Sequence, residues 1–325
     1  MRDLDQLLSR LDWKVDEALI PDVQSLLREV ELNESISFQT SGSTGIPKSI
    51  HFSVKQIKAS SSRTAQVFKL KQGAVVFCAL PAIYVAGKMM MYRAVFEQWQ
   101  LHWQRPSAIP HPVGKFDFGV FTVAQVVAML ERNIQSLNGF DNVLLGGGNI
   151  TPRAVELLSK TTVKAYMGYG MTETLTHVAL MEIGRDKAYG ALPEVELKVN
   201  DQSCLMIKDN LLKLDWFTTN DVVELEGNQF QVKGRIDYVI NTGGVKIFPE
   251  KLEEKLSVIL AVPFFVTGVM DEKYGQHIAV VIEGEDNEAL RYELLNLKWG
   301  VETPREVIFK SELNRTDSGK IIRML

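Results

Sequence analysis

The chain has 325 residues, 46% hydrophobic and 23% charged, which is enough to build a large core in one domain or two unequal ones. Its formal net charge of −4, with no Lys/Arg cluster interleaved with aromatics, argues against nucleic acid as a partner. Two cysteines, Cys78 and Cys204, stand far apart without metal-ligand spacing, which disfavours a disulfide framework or a zinc site and fits a reducing cytoplasm.

The N-terminus, Met1-Arg2-Asp3-Leu4-Asp5, is charged at once and lacks the apolar stretch of a signal peptide. Leu4, Leu7, Leu8 and Leu11 recur at helical spacing, as do Val23, Leu26, Leu27 and Val30. A short strand over Ser35–Thr40 then runs into a loop of Gly, Ser and Thr. The longest uncharged apolar stretch, Gly73 to Gly87, is interrupted by Pro81 and falls short of the ~20 residues a membrane span needs. Within it, Ala74–Leu80 shows no alternation, as expected of a strand covered on both faces. Phe118–Phe121 and Asn142–Leu145 read as further strands, with helices over Val123–Asn133 and Pro152–Ser159. Alternating strands and helices predict α/β layering around a mostly parallel sheet. From Leu192 to Val232 short alternating strands replace this texture. After Gly234-Arg235 comes a smaller α+β unit with a helix over Pro249–Leu260. The domain boundary is placed at Gly234–Asp237, giving domains 1–235 and 236–325.

Five segments carry the chemistry. Thr40-Ser41-Gly42-Ser43-Thr44-Gly45-Ile46-Pro47-Lys48 sets hydroxyl residues between glycines, a backbone that can approach phosphate oxygens closely, and adds the charge of Lys48. It is not a Walker A loop, since G-x-x-G-x-P-K differs from G-x-x-x-x-G-K-[ST], and Pro47 restrains Ile46 to extended geometry. Gly168-Tyr169-Gly170-Met171-Thr172-Glu173-Thr174 offers an aromatic ring and a carboxylate within one turn. The third is Thr218-Thr219-Asn220-Asp221. The fourth runs from Gly234-Arg235-Ile236-Asp237 through Thr242-Gly243-Gly244-Val245-Lys246 to Glu250. The fifth is Thr316-Asp317-Ser318-Gly319-Lys320-Ile321-Ile322-Arg323. Taken singly, all but the first read more simply as turns, caps or a solvated tail.

In this order the five resemble the acyl-adenylate-forming superfamily of acyl-CoA synthetases, luciferases and peptide-synthetase adenylation domains, from Ser37 to Arg323. The resemblance implies a large adenylate-forming N-terminal domain of layered sheets and helices and a small mobile C-terminal domain. It implies ATP and Mg²⁺ as cofactors and coenzyme A as co-substrate. By the same resemblance, Thr40, Ser41, Gly42, Ser43, Thr44, Gly45 and Lys48 hold the ATP phosphates, and Tyr169 lies against the adenine. Thr172 supplies a phosphate-binding hydroxyl and Glu173 the Mg²⁺-associated carboxylate. Asp221 takes the ribose hydroxyls, Arg235 makes a second nucleotide contact, Asp237 is the hinge and Lys320 the catalytic lysine. The segment after Thr242-Gly243-Gly244 resembles the one that replaces Lys320 once the small domain has turned. The sequence departs from the pattern in the short chain before the phosphate loop, in Asn220 where glycine is usual, and in Tyr84 as the aromatic of the Leu80-Pro81 motif.

Leu80–Arg93, Leu144-Leu145-Gly146-Gly147-Gly148 and the pair Thr176-His177 look most like o-succinylbenzoate–CoA ligases of menaquinone synthesis. That likeness makes Tyr84, Lys88, Arg93, Gly147, Thr176 and His177 substrate-binding candidates. Arg93 would meet the second carboxylate of a diacid in two-point fashion. Lys88 and Arg93 lie about 140° apart round a helix, so both face one pocket only if the helix begins after Lys88. Met89–Met91 reads as core packing. The alternatives are a ligase for another acyl or aryl acid, an enzyme loading a carrier protein, and a catalytically silent nucleotide-binding homologue.

Overall fold

The computed structural model describes residues 12–39, 48–316 and 321–325. Contacts divide the described chain into two units, one of residues 12–39, 48–196 and 208–216, the other of 197–207, 217–316 and 321–325.

The first unit opens with strand β1 (Lys14–Val15), helix α1 (Ile20–Leu32) and strands β2 (Ser35–Gln39) and β3 (Ser49–Ser53). Pro21 sits in the first turn of α1, where its missing N–H costs nothing, and Val23, Leu26 and Leu27 are buried at the helical spacing expected. Helix α2 (Val54–Val67) follows β3 directly through a capping box between Ser53 and Gln56. Then come β4 (Val75–Cys78), α3 (Val85–Phe96), β5 (Gln100–Trp103) and β6 (Phe116–Thr122). The chain continues through α4 (Val123–Arg132), β7 (Phe140–Gly146), α5 (Pro152–Leu158), β8 (Lys164–Gly170), β9 (His177–Glu182) and β10 (Tyr189–Ala191).

These strands form a sheet in the order β1-β5-β4-β6-β7-β8-β9-β10. Pairing is parallel from β1 to β8 and antiparallel from β8 to β10. Strand β4 explains its own unbroken apolar run. Val76 and Cys78 face a core shared with α1, α2 and α3, while Phe77 and Ala79 face another shared with α4 and α5. On that second face Phe77, Phe116, Phe121 and Phe140 pack with ring centroids 4.8–5.9 Å apart.

Strands β2 and β3 pair separately and antiparallel, with Gln39 opposite Ser49, so the phosphate-loop segment joins two paired strand ends. The chain enters strand β3 at Ser49, so no helix runs straight out after Pro47, while Ile46, the residue the proline restrains, lies outside the described residues.

Three strands, β11 (Val195–Val199), β12 (Cys204–Asp209) and β13 (Leu214–Glu226), belong partly to each unit, and β14 (Gln229–Arg235) lies in the second. Beyond them the second unit contains β15 (Ile240–Thr242), β16 (Val245–Ile247), α6 (Pro249–Leu256), β17 (Phe264–Asp271), β18 (Gly275–Glu283), α7 (Glu288–Leu295) and β19 (Glu306–Lys310). Its sheet runs β16-β15-β18-β17, with β19 parallel to β18. Leu252, Leu256 and Leu294 of the helices bury against Val266, Ile278 and Val280 of the strands.

The first predicted helix, Leu4–Leu11, and Thr40 lie outside the described residues. The helix expected over Pro249–Leu260 ends at Leu256, and the next residues form a turn in which the Leu256 carbonyl accepts from both Ile259 and Leu260.

Gly87, in the first turn of α3, is required by close approach. A Cβ there would lie 2.2 Å from the Pro81 carbonyl oxygen, a backbone atom with no room to retreat. Gly87→Ala should therefore lower the unfolding free energy by about 1–3 kcal/mol in urea denaturation, whereas Gly184→Ala, set in open space, should cost only its backbone strain.

Candidate active site

The turn after β8 is built around one buried hydroxyl. Thr174 Oγ1 accepts from the Met171 N–H at 3.0 Å and donates towards the carbonyls of Met171 at 3.0 Å and Thr176 at 2.7 Å. This pins the short 3₁₀ turn Thr172–Thr174, whose Glu173 is exposed while Thr174 is fully buried. Leu175 follows with φ 64, a costly backbone for a branched residue, and is itself fully buried. Immediately before the turn the β8–β9 register shifts between Tyr169 and Gly170, and a Cβ on Gly170 would come within 2.2 Å of the Thr176 carbonyl. Tyr169 holds its ring 5.7 Å from that of Tyr189. An aromatic face, a hydroxyl and an exposed carboxylate are thus set on a strained, tightly bonded bend.

Helix α3 begins at Val85, with Tyr84 as its N-cap, so Lys88 lies inside the helix and does not share a surface with Arg93. The condition for both cations to face one pocket is not met. Lys88 Nζ lies 2.8 Å from Glu29 Oε2, donates to the Ser37 carbonyl at 3.1 Å and stands 4.9 Å from the Phe38 ring. Glu29 also accepts from the Tyr92 hydroxyl at 2.8 Å. Burial, reinforced by Glu29, pushes the Tyr92 phenol far up. Lys88 forms part of the wall of a cleft of about 610 Å³, with Leu26, Glu29, Phe38, Pro81 and Ile83 among the other lining residues.

Arg93 has different surroundings. It is 2% exposed, on a helix whose Met89, Met90 and Met91 are all fully buried. Its Nη2 donates to Thr176 Oγ1 at 2.8 Å, and Thr176 Oγ1 is 3.1 Å from His177 Nδ1. Among the described residues no carboxylate lies within ion-pair distance of Arg93, and its Nε has no hydrogen-bond partner. Burial and the nearby Arg63 guanidinium pull the Arg93 pKa down. Burial, with Arg93 and Arg63 adding to it, holds the His177 imidazole well below its usual value and therefore neutral. Arg93, Thr176 and His177, chosen from separate stretches of sequence, are thus in one hydrogen-bonded group. Gly147 lies in a left-handed turn after β7, with φ 83.

Asp221, Arg235 and Asp237 come together within the second unit. Asp221 and Arg235 are Cα partners across β13 and β14. Arg235 donates to both oxygens of Asp237, at 3.0 and 2.8 Å, and its Nη1 is 3.6 Å from Asp221 Oδ1. Burial pushes the Asp237 carboxyl up, but this two-point contact outweighs it and holds the group below its usual value. Asn220, where the family pattern has glycine, donates to Asp237 at 3.4 Å.

Ser41, Gly42, Ser43, Thr44 and Gly45 of the phosphate loop, with Thr40, lie outside the described residues, as does Lys320. Lys48 is described, at the start of the approach to β3.

The sequence reading passed over Glu29, Arg63 and Asp209. Arg63 Nη1 and Asp209 Oδ2 form an ion pair at 2.8 Å with side chains only 3% and 0% exposed. The signal for Arg63 was a helical stripe of Ile57, Ser60, Ser61 and Thr64, a small polar face that turns out to be buried. Asp209 sat in a surface-like Lys-Asp-Asn sequence and gave no signal.

Residues 35–209, more than half of the chain, match the family described as AMP-binding enzyme. A 2-succinylbenzoate–CoA ligase of Listeria monocytogenes is 26% identical over 351 residues, covering 97% of this chain and 73% of its own length. Another, of a Geobacillus strain, is 24% identical and covers 98% of this chain and 75% of its own length. Among solved structures, an acyl-CoA synthetase (AMP-forming)/AMP-acid ligase II-like protein of Dyadobacter fermentans is 29% identical with a TM-score of 0.65, covering 98% of this chain and 96% of that one. The o-succinylbenzoate CoA synthetase of Bacillus subtilis, in complex with its acyl-adenylate intermediate, shares the fold at a TM-score of 0.76 and 21% identity, over 88% of this chain and 67% of that one. With the β8 turn, the Asp221–Arg235 strand pair and the matched segment in agreement, this chain belongs to the AMP-binding enzyme family.

Proposed function

We propose that this protein is an o-succinylbenzoate–CoA ligase, joining a diacid to coenzyme A through an acyl-adenylate in the cytoplasm. The observation that carries the choice of acid is Arg93, a guanidinium 2% exposed with no acidic partner among the described residues. Such a charge is costly unless an anion meets it, and the carboxylate of the acid that does not react is an anion of the right kind. Lys88 is the poorer candidate for that contact, because Glu29 already answers its charge. Tyr84, the N-cap of the helix bearing both residues, and Gly147, in its left-handed turn, are our further candidates for the acid pocket. Thr176 and His177 serve by orienting Arg93.

In the first half-reaction the other carboxylate of the acid attacks the α-phosphate of ATP, releasing pyrophosphate. The loop Thr40–Gly45, with Lys48, steadies the β- and γ-phosphates. Thr172 adds a hydroxyl from the pinned turn, and Tyr169 offers its ring to the adenine. Asp221 accepts from the ribose hydroxyls, with Arg235 beside it. Glu173 suits Mg²⁺, which binds through one or two carboxylates plus substrate phosphates rather than in an all-protein cage. No group of three or more metal-ligating side chains is found among the described residues. The ion, when bound, neutralises phosphate charge as it develops. Lys320 supplies a second cation at the same oxygens.

Coenzyme A then takes the acyl group, the thiolate displacing AMP. We assign nucleotide and acid binding to domain 1–235, and take domain 236–325 as the mobile part that turns between the two half-reactions, with Asp237 as the hinge. The turn Gly243-Gly244, at φ 56 and 83 between β15 and β16, presents backbone where Lys320 had been.

Lys320→Ala should cut the rate of adenylation by roughly 10²–10³ while sparing thiol transfer to preformed acyl-adenylate. Single-turnover measurement of each half-reaction checks this, and equal damage to both would refute the division of labour. Arg93→Ala should lower kcat/KM for o-succinylbenzoate by at least about tenfold, with Arg93→Lys recovering only part, since an ammonium lacks the planar two-point contact. The wild-type enzyme should prefer this diacid to 4-phenyl-4-oxobutanoate, which lacks the second carboxylate. Equal use of the two acids in a pyrophosphate-release assay would overturn the choice of substrate and leave the adenylating chemistry standing.

A further inference from the structure

The first unit buries a second guanidinium besides that of Arg93. Helix α2 contributes Arg63, 4% exposed, and α3 contributes Arg93. Asp209, fully buried, is the acid that meets Arg63, at 2.8 Å. Its orientation is fixed from the other side, since Oδ1 accepts from the Leu212 N–H at 3.1 Å. Arg63 Nη1 also reaches the Pro193 carbonyl at 3.4 Å, and its Nη2 is buried without a hydrogen-bond partner. The second guanidinium mirrors this, with Arg93 Nη2 spent on Thr176 and Nε left unpartnered. Helices α2 and α3, which carry the two arginines, pack against each other, and Arg63 disfavours the charge on Arg93 as both do on His177. With His177 neutral, two cations and one anion leave a surplus of one positive charge in this buried group (2 − 1 = 1).

We propose that Arg63 is a second specificity-determining cation, which joins Arg93 in neutralising the non-reacting carboxylate of the acid and is aimed by Asp209. The inference rests on the diacid reading above. A carboxylate has two oxygens with lone pairs in one plane, and guanidinium forks match that geometry. Each arginine here has one part of its fork committed to the protein and a buried N–H left over. One entering carboxylate brings the group to neutrality (2 − 1 − 1 = 0). Asp209 does not play that part for Arg93: it pairs with Arg63 at 2.8 Å, and among the described residues no ion pair joins it to Arg93. A purely structural Arg63–Asp209 pair would have no bearing on which acid is used, and this difference can be measured.

Removing Arg63 alone would strand Asp209 as an unpaired buried charge, so the informative variant replaces both partners, Arg63→Met with Asp209→Leu. Exchange of a buried ion pair for packed apolar side chains is often neutral for stability, and a melting temperature reports whether the variant is folded. The readout is the ratio of kcat/KM for o-succinylbenzoate to that for 4-phenyl-4-oxobutanoate, with KM and kcat resolved for each acid. The proposal expects that ratio to fall at least about tenfold, mostly through KM for the diacid. A folded double variant with the wild-type ratio overturns it and leaves the Arg93 reading intact. Should the double variant not fold, Arg63→Lys keeps the charge beside Asp209 but loses the fork. It is expected to lower the same ratio severalfold, and an unchanged ratio counts equally against the proposal. A wild-type protein that does not discriminate between the acids fails at the earlier step, sinking the diacid reading itself.

Discussion

A guanidinium held in an apolar interior must be repaid in hydrogen bonds and opposite charge, and much of the first unit is arranged around that requirement. Arg63 draws the Pro193 carbonyl and Asp209 to helix α2, and Gln56 on the same helix donates to the Leu212 carbonyl at 2.6 Å. The segment around residues 209–212 is thereby fastened to α2 by polar contacts at both ends of the helix. Helix α3 solves the same problem differently. Its Arg93 lies among fully buried methionines and leans on a single threonine hydroxyl. Methionine suits such a place, since its flexible, polarisable chain fills space around a polar group that has no shape-matched partner.

The two cations on α3 show how little residue type alone decides. Lys88 and Arg93 are five positions apart on one helix, yet Glu29 has claimed the lysine, while the arginine has no described acid. Glu29 comes from α1, Ser37 from β2 and Tyr92 from α3, so the lysine ties the two elements just upstream of the phosphate-loop segment to its own helix. Its charge is thus taken up in holding the scaffold of that segment.

The local elements were legible because their causes are local. Val23, Leu26 and Leu27 predict α1 by spacing, and the unbroken apolar run of β4 predicts a strand covered on both faces. The Tyr169–Glu173 turn and the Asp221, Arg235 and Asp237 positions were found through their resemblance to a family, and the last three do cluster. What escaped notice depends on distance along the chain. Nothing near Arg63 announces an aspartate 146 positions later (209 − 63), and Glu29 lies 59 residues before the lysine it binds. The helix limit at Val85 was equally hidden, because the close approach of Gly87 to the Pro81 carbonyl, which leaves no room for a Cβ, has no spacing of its own.

The Arg93–Thr176–His177 contacts carry a direction that the distances alone do not express. Arginine can only donate, so the Thr176 oxygen accepts from Arg93 and keeps its one proton to offer elsewhere, with His177 Nδ1 at 3.1 Å. When the hydroxyl donates to Nδ1, the ring proton of the neutral imidazole sits on Nε2. Adding a proton at Nδ1 would set two donors face to face, beside two guanidinium groups. Burial and the two guanidinium groups thus keep the ring neutral, so that it extends the reach of the cation as a dipole and adds no charge of its own.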